Sequence, residues 1–162
     1  MKRFLIILFI FLFLLISHSA FAFQFEDFYW GQTKGEILDL LKENNKEDVN
    51  IQTNERISYS DEIYQQPCKI TMIFTFENYE LAAVFIEWET GTIGDEIQKE
   101  LIDRYGQPVE LESYMKEYRW QGGFPGERLI LDYLGNAELS YYGGKYYQKY
   151  QKQLHAEGES EL

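Results

Sequence analysis

One order of elements occurs twice along this chain and limits the folds open to it: an amphipathic helix followed by several strands. The first helix is predicted over residues 34–43, where Thr33 and Glu36 form a capping-box pattern ahead of an apolar face. The second is predicted over residues 95–105, and Gly106 follows it where helices commonly end in glycine. Helices with one apolar face need a partner surface, so both are expected to pack on a sheet.

Six stretches between turn residues carry the apolar patterns that are typical of strands. In residues 68–76 the apolar side chains fall mainly on one face, whereas residues 81–88 are apolar on both faces and predict a central strand. The expected fold is α+β: a two-layer sandwich in which an antiparallel sheet of about six strands carries two helices on one face. The predicted strands span residues 56–60, 68–76, 81–88, 112–120, 127–133 and 138–142.

Short sequence matches accompany the repeated order of elements. Residues 36–37 match residues 96–97 at a spacing of 60, and residues 78–81 match residues 136–139 at a spacing of 58. These matches predict a duplicated α-β-β-β unit. Coincidence is the alternative, because hairpins and amphipathic helices are common.

The N-terminus carries the three adjacent features of a cleavable secretory signal peptide. Two basic residues at positions 2–3 precede an unbroken apolar run over residues 4–16, and Ala20 and Ala22 provide small residues before a cleavage site. The apolar run is shorter than the roughly 20 residues of a membrane-spanning helix, and an uncleaved anchor is the alternative. We therefore expect a periplasmic or secreted protein with no stable membrane span after cleavage.

With cleavage after residue 22, the sequence predicts three parts of the chain: a signal peptide, a folded domain and a C-terminal tail. Residues 1–22 are the signal peptide, and residues 23–144 form a single α+β domain with pseudo-repeats at about 28–89 and 90–144. Residues 145–162 are expected to form a short terminal helix and a disordered tail, because the end of the chain is polar and acidic. The mature chain is long enough for a core of its own.

The chain is strongly acidic, with a formal net charge of −12 that becomes −14 once Lys2 and Arg3 leave with the signal peptide. Such a charge disfavours nucleic acid and anionic lipid surfaces as partners. Beyond residue 22 the sequence has one histidine, His155, and one cysteine, Cys68, which argues against histidine triads and zinc sites. Because Cys68 begins an apolar run, we interpret it as a buried small residue; a thiol that pairs between chains is the alternative.

The sequence offers no catalytic, cofactor-binding or metal-ligating set of residues. It contains no phosphate-binding glycine loop and no run of closely spaced oxygen ligands for calcium. We therefore predict that the protein is not an enzyme and uses no cofactor.

Aromatic residues are the positive signal for function, since the chain holds 13 Tyr and 3 Trp. Tyrosine and tryptophan suit binding surfaces because they bury much area with little loss of rotamer freedom. Alternate residues of the predicted strand 112–120 place aromatic side chains and a lysine on one face, and the next strand directs an aspartate to the open side of the sheet. Packing of these aromatic residues in the core is the alternative. The candidate binding surface comprises Tyr114, Lys116, Tyr118, Trp120, Asp132 and Tyr142.

These observations favour an exported non-enzymatic binding or interaction module of the cell envelope that uses an aromatic-rich sheet face. Its partner would be a protein or glycan of the envelope. The competing hypothesis is a carboxylate-based hydrolase acting on an envelope or extracellular glycan, which would need a cleft with two acidic groups and a raised pKa in one of them. A third hypothesis is a structural envelope component that self-associates through Cys68.

Two motifs resemble small exported bacterial proteins: the Trp-Gly-x-Thr-x-x-Glu-Ile start of the first helix, residues 30–37, and the Tyr-Gly-Gln-Pro end of the second, residues 105–108. The helix-then-three-strand unit also resembles outer-membrane-assembly lipoproteins of the BamE type, and its duplication resembles the architecture of β-lactamase-inhibitor proteins. The resemblance spans residues 28–142 by element order alone, and it implies a non-enzymatic envelope or inhibitor role. This chain lacks the lipoprotein cysteine and the paired cysteines of the inhibitor repeats, so no functional residue is carried over.

Overall fold

The computed structural model describes residues 25–46, 48–112 and 116–160. The predicted signal peptide and the candidate residue Tyr114 lie outside these ranges. The described chain is an α+β protein in which α-helices accompany one antiparallel open sheet, as the sequence predicted. The α-helices are α1 (Lys34–Glu43), α2 (Gly94–Tyr105) and α3 (Lys145–Ser160).

One sheet of eight strands runs through the described chain. The strands are β1 (Asn50–Thr53), β2 (Arg56–Ile63), β3 (Gln66–Phe74), β4 (Leu81–Trp88), β5 (Glu110–Glu112), β6 (Glu117–Gln121), β7 (Glu127–Asp132) and β8 (Ala137–Gly143). Their spatial order is β1-β2-β3-β4-β8-β7-β6-β5, and every neighbouring pair is antiparallel. The strand predicted to be central, β4, therefore lies at the middle of the sheet beside β8.

The start of α1 is determined by local sequence. The Thr33 amide donates to Glu36 Oε2 at 2.8 Å, and the Glu36 amide donates to Thr33 Oγ1 at 3.4 Å, which completes the predicted capping box. Ile37 and Leu41 lie one turn apart and are buried. Both join the hydrophobic cluster that alternate residues of β2, β3 and β4 form on one face of the sheet.

α2 packs on the same face as α1. Its buried residues Ile97 and Leu101 join the same cluster. Tyr133, which follows β7, places its hydroxyl 3.0 Å from Asp95 Oδ1 and 2.9 Å from Gln98 Oε1 in the first turns of α2. These contacts attach the beginning of the helix to the sheet.

α3 packs on the opposite face of the sheet. The structure therefore has three layers, whereas the sequence predicted two. The ring of Tyr147 in α3 lies 4.6 Å from that of Tyr142 in β8, and Tyr150 stacks on Phe76 at 5.4 Å. The helix also continues to Ser160, through residues that we expected to be disordered. Its tyrosines pack against β8 and against Phe76, which follows β3.

The set of strands differs from the prediction in two places. β1 occupies residues outside every predicted strand, and the single predicted strand 112–120 is divided into β5 and β6. Among the remaining strands β4 has the predicted bounds, and the bounds of the others differ by one to three residues. Lys116 adopts a φ of 51° just before β6, and the two strands pair antiparallel with Leu111 opposite Tyr118. α1 and α2 are therefore each followed by four strands rather than three, and the sheet of the described chain has eight strands rather than about six.

Cys68 lies in β3 among the residues that face α1. Its side chain is free and buried, which confirms the interpretation of Cys68 as a small core residue. Burial, with a smaller contribution from the nearby Asp61 carboxylate, raises the pKa of the thiol to about 11.

Candidate ligand-binding pocket

The described residues of the predicted binding surface lie on two opposite faces of the sheet. Trp120 is opposite Leu129 in the strand pairing and faces the two helices. Its side chain is only 2% exposed, and its indole N–H donates to the Gly106 carbonyl oxygen at 2.8 Å. Trp120 therefore anchors the end of α2 in the core, and its assignment to a binding surface was wrong.

Tyr118 and Lys116 belong to the same helix-facing side. The Tyr118 ring stacks on Tyr133 with the ring centroids 5.7 Å apart, and Lys116 Nζ lies 4.9 Å from the Tyr133 centroid. This stack packs against the start of α2 through the Tyr133 hydroxyl. Both side chains thus have a structural role beside the helix.

Asp132 and Tyr142 project from the opposite face, as predicted for Asp132. Asp132 Oδ1 accepts the Leu134 amide at 3.1 Å and caps a turn. The Tyr142 ring is covered by Tyr147 and by the Arg128 guanidinium, whose carbon lies 4.4 Å from the ring centroid. The five candidate residues that the structure describes therefore do not form one contiguous surface.

The structure instead brings aromatic residues together in a pocket at one end of the sheet. The cavity has a volume of about 590 Å³ and lies where the segment before α1, the loop between β6 and β7, and the turn into α3 meet. A volume of this size is typical of a small-molecule site. Its aromatic walls are Phe28, Tyr29, Trp30, Phe124 and Tyr146.

Two glycines allow the aromatic walls to approach the backbone closely. A Cβ atom on Gly143 would lie 2.6 Å from Trp30 Cε3, and a Cβ atom on Gly31 would lie 2.3 Å from the Tyr146 hydroxyl. Gly31 also has a φ of 85°, which disfavours other residues. Its amide donates to the Leu81 carbonyl oxygen at 3.1 Å and holds this wall against the first residue of β4.

A buried carboxylate joins two walls of the pocket. Glu127 is 1% exposed. Its Oε1 accepts the Trp30 indole N–H at 2.7 Å, and its Oε2 accepts the Phe124 amide at 3.2 Å. Hydrogen bonds to a carboxylate are stronger than neutral ones, so Glu127 fixes the segment before α1 relative to the β6–β7 loop.

The rim of the pocket is aromatic and exposed. Tyr29 and Phe124 are 59% and 56% exposed, although large aromatic side chains usually bury their area. Lys145 is also at the rim, where its Nζ lies 4.8 Å from the centroid of the Tyr146 ring. The arrangement offers apolar contact, aromatic side chains and one exposed ammonium group, which suits binding of a ligand.

A second cleft lies on the helix-facing side, between the turn at residues 25–28 and the end of α2. It has a volume of about 580 Å³, with Trp88 in its floor and Arg104 at its rim. Loss of hydration, together with the nearby Asp61 carboxylate, raises the pKa of Glu26 above its ordinary value, although much of this side chain is exposed. The cleft thus contains one acidic group with a raised pKa, and the second acidic group, Asp61, lies outside the lining and pairs with Lys46.

Sequence reasoning missed the pocket residues. None of the residues that line the pocket was among the predicted candidates, and Glu127 was placed only as the first residue of a strand. The available signal was the glycine pairs at residues 122–123 and 143–144, because glycine allows the backbone to approach large side chains closely. The sequence did not show that these segments meet.

The fold and the pocket define an α+β protein with an open antiparallel sheet and an aromatic cavity of ligand size at one end of that sheet. Comparison with protein-family models, with curated proteins and with solved structures finds no match to this chain. Within the described ranges, no helix is both long and apolar enough to cross a bilayer. The same part of the chain contains no group of three His, Cys, Asp or Glu side chains that could hold a metal ion.

Proposed function

We propose that this protein is an exported, non-enzymatic binding module of the cell envelope whose ligand occupies the aromatic pocket. The observation that carries the proposal is the exposure of Tyr29 and Phe124 at the rim of a cavity whose walls Glu127 holds in place. Exposed rigid aromatic side chains around a preformed cavity are typical of binding sites. The sheet face that we first considered carries α3, so the pocket takes its place.

The composition of the pocket favours binding over catalysis. Its described lining includes the carboxylate of Glu127 and the ammonium group of Lys145, and Glu127 is engaged by the Trp30 indole and the Phe124 amide. None of the residues in the described lining is Ser, Thr, Cys or His, the residue types that most often serve as nucleophile and base in covalent catalysis. Export is proposed from the basic, apolar and small-residue pattern of residues 1–22.

A photo-crosslinking amino acid placed at Phe124 tests this function in cells. Leu134 provides the matched control, because it is 64% exposed on the β7–β8 turn, away from the pocket lining. After irradiation of the cells and purification of this protein, we expect a defined adduct from position 124 and none from position 134. The additional substitution Tyr29→Ser is expected to abolish the adduct from position 124. Equal labelling at both positions, or no adduct from either, would contradict the proposal.

A second candidate function is a carboxylate-based hydrolase of an envelope or extracellular glycan, acting in the helix-side cleft. The observation that favours it is the raised pKa of Glu26 beside Asp61, since a general acid of this kind works with a second carboxylate. The test is hydrolysis of peptidoglycan and of soluble glycans by the wild-type protein and by Glu26→Gln. Activity that Glu26→Gln removes would support it, and no activity in the wild-type protein would exclude these substrates.

We also propose that the chain arose by duplication of a helix-plus-four-strand unit. The buried residues Ile37 and Leu41 of α1 correspond to Ile97 and Leu101 of α2 at the same spacing of 60 residues. Each helix precedes a four-stranded meander, and the two meanders meet through their last strands, β4 and β8. An approximate two-fold relation between the halves would produce this strand order.

A further inference from the structure

We propose that the aromatic pocket binds an uncharged, largely apolar small molecule that is built on a ring. This inference rests on the proposed binding function and names the chemistry of its ligand. Three properties of the described lining support it: the apolar surface of most of its residues, the hydrogen bonds that already engage its carboxylate, and the opposite charges of its two ionic residues.

The walls of the pocket offer apolar contact and few polar groups. Five of the lining residues are aromatic, and three more are proline or glycine. The Trp30 indole N–H is engaged by Glu127 within the wall, so Trp30 presents apolar ring surface to a ligand. Because a polar group loses free energy when it is buried without a hydrogen-bond partner, this lining favours a ligand whose surface is mostly apolar. A sugar, with its many hydroxyl groups, fits such a lining poorly.

The Glu127 carboxylate belongs to the wall of the pocket. Its two oxygens accept the Trp30 indole N–H at 2.7 Å and the Phe124 amide at 3.2 Å, and the residue is only 1% exposed. A cationic ligand would therefore meet no open carboxylate in the described lining, and the ammonium group of Lys145 would repel it. The lining thus disfavours cations.

Anionic ligands are disfavoured by charge as well. Glu127 lies in the wall and the chain has a formal net charge of −12, so an anion approaches against repulsion. Lys145 has the opposite charge, but its side chain is exposed and its Nζ lies 4.8 Å from the centroid of the Tyr146 ring. Ion pairs at exposed positions are weak because water and salt screen them. An uncharged ligand avoids both penalties.

The size and the rigidity of the pocket suit a small molecule. Its volume of about 590 Å³ lies within the range of cavities that enclose small ligands. Because Gly31 and Gly143 carry no Cβ atom, the Tyr146 hydroxyl and the Trp30 ring pack directly on the backbone. These walls are therefore in place before a ligand binds, which lowers the entropy cost of binding.

The test compares three ligands that share one ring system and differ in charge. The full chain is titrated by calorimetry with naphthalenemethanol, naphthalenemethylammonium and naphthoate, all substituted at the same ring position. We expect the neutral alcohol to bind at least about tenfold more tightly than either ion, because burial of an unpaired charge is costly. Its binding should show a negative heat-capacity change, and its affinity should not fall when sodium chloride is added.

Variants at the rim assign the binding to the pocket. Phe124→Ser removes an exposed ring but keeps the backbone amide that holds Glu127, so the protein should fold and bind the alcohol about tenfold more weakly. Phe124→Leu returns apolar area and should recover most of that affinity. Lys145→Gln should narrow the difference between the alcohol and the ammonium compound.

Leu134→Ser is the matched control for the rim variants. Leu134 is an exposed apolar residue outside the pocket lining, so its replacement should leave all three affinities unchanged. An equal loss of affinity in Leu134→Ser and Phe124→Ser would overturn the assignment of the ligand to this pocket.

Each outcome supports the inference or overturns it. Equal or tighter binding of either ion overturns the uncharged chemistry and leaves the binding function standing. Tighter binding of N-acetylglucosamine than of the alcohol overturns the apolar class, and a photo-adduct of protein mass at position 124 overturns the small molecule. Failure of every probe while a small-molecule adduct forms at position 124 overturns only the ligand class, whereas failure of the probes together with the absence of any adduct overturns the proposed function as well.

Discussion

The Trp30 indole N–H donates to Glu127 Oε1 at 2.7 Å and joins two residues that are 97 positions apart in the sequence. This hydrogen bond connects the segment ahead of α1 with the first residue of β7. Since Glu127 is buried, the bond satisfies a carboxylate that would otherwise lose hydration without compensation. The pocket and the stability of the domain therefore depend on the same contact.

Replacement of Trp30 by phenylalanine removes the donor and keeps an aromatic ring. We expect Trp30→Phe to lower the free energy of unfolding by about 1–3 kcal/mol, because a buried carboxylate loses a charge-assisted hydrogen bond. Urea denaturation followed by circular dichroism measures the change. Tyr29→Phe is the control, since Tyr29 is largely exposed, and it should leave stability unchanged. Equal stability of Trp30→Phe and the wild-type protein would show that the hydrogen bond contributes nothing.

A methyl group at position 143 should displace Trp30. The Cβ atom of Gly143→Ala would lie 2.6 Å from Trp30 Cε3 and 3.0 Å from the Ala82 carbonyl oxygen, so the backbone or the indole must move. We expect destabilisation of about 1–3 kcal/mol and a shift of the tryptophan fluorescence maximum of the protein, relative to the wild-type chain. Gly135→Ala, which has open space around its Cβ position, should change stability by less than about 0.5 kcal/mol, and a similar loss in both variants would contradict the steric explanation.

The pKa of Glu26 predicts a pH-dependent effect on stability. The folded state raises this pKa above the ordinary value of 4.5. The contribution of Glu26 to stability is therefore most favourable below pH 4.5, where the group is protonated in both the folded and the unfolded state. This contribution is lost as pH rises through the folded pKa. Glu26→Gln should therefore be more stable than the wild-type protein at neutral pH, with an advantage that disappears on acidification below 4.5. Thermal unfolding across this pH range measures it, with Glu89→Gln, an exposed glutamate, as the control. An advantage that does not vary with pH would exclude this cause.

Cys68 should react slowly in the folded protein. Its thiol is buried and its pKa is raised to about 11, so little thiolate is present near neutral pH. We expect iodoacetamide to alkylate Cys68 rapidly only in denaturant, as followed by mass spectrometry, and non-reducing electrophoresis of the native protein to show a monomer. A disulfide-linked dimer would instead support the hypothesis of self-association through this residue.

Local signals were sufficient to predict some elements from the sequence. α1 was predicted with its observed bounds because Thr33 and Glu36 form the capping box within one turn of the helix. β4 was also predicted with its observed bounds, since an apolar run on both faces identifies a central strand. These features depend on residues close together in the chain.

Features that depend on distant residues could not be predicted in the same way. The positive φ of Lys116 separates β5 from β6, although the residue type gives no sign of it. The aromatic residues of strand β6 were assigned to a surface, but the sequence does not tell which face the helices cover, and Trp120 is in the core. The pocket was missed because Trp30, Phe124 and Tyr146 meet only in the folded chain.

The position of β4 has a consequence for the way in which the chain acquires its structure. One edge of β4 pairs with β3, but the other pairs with β8, which is made only near the end of the chain. Until β8 arrives, the first meander has a long apolar strand with unsatisfied backbone groups at its edge, which other chains can capture. Folding is therefore non-local and late, as is usual for sheets of high contact order. A protein built in this way benefits from protection of its incomplete sheet while synthesis and any translocation are still in progress.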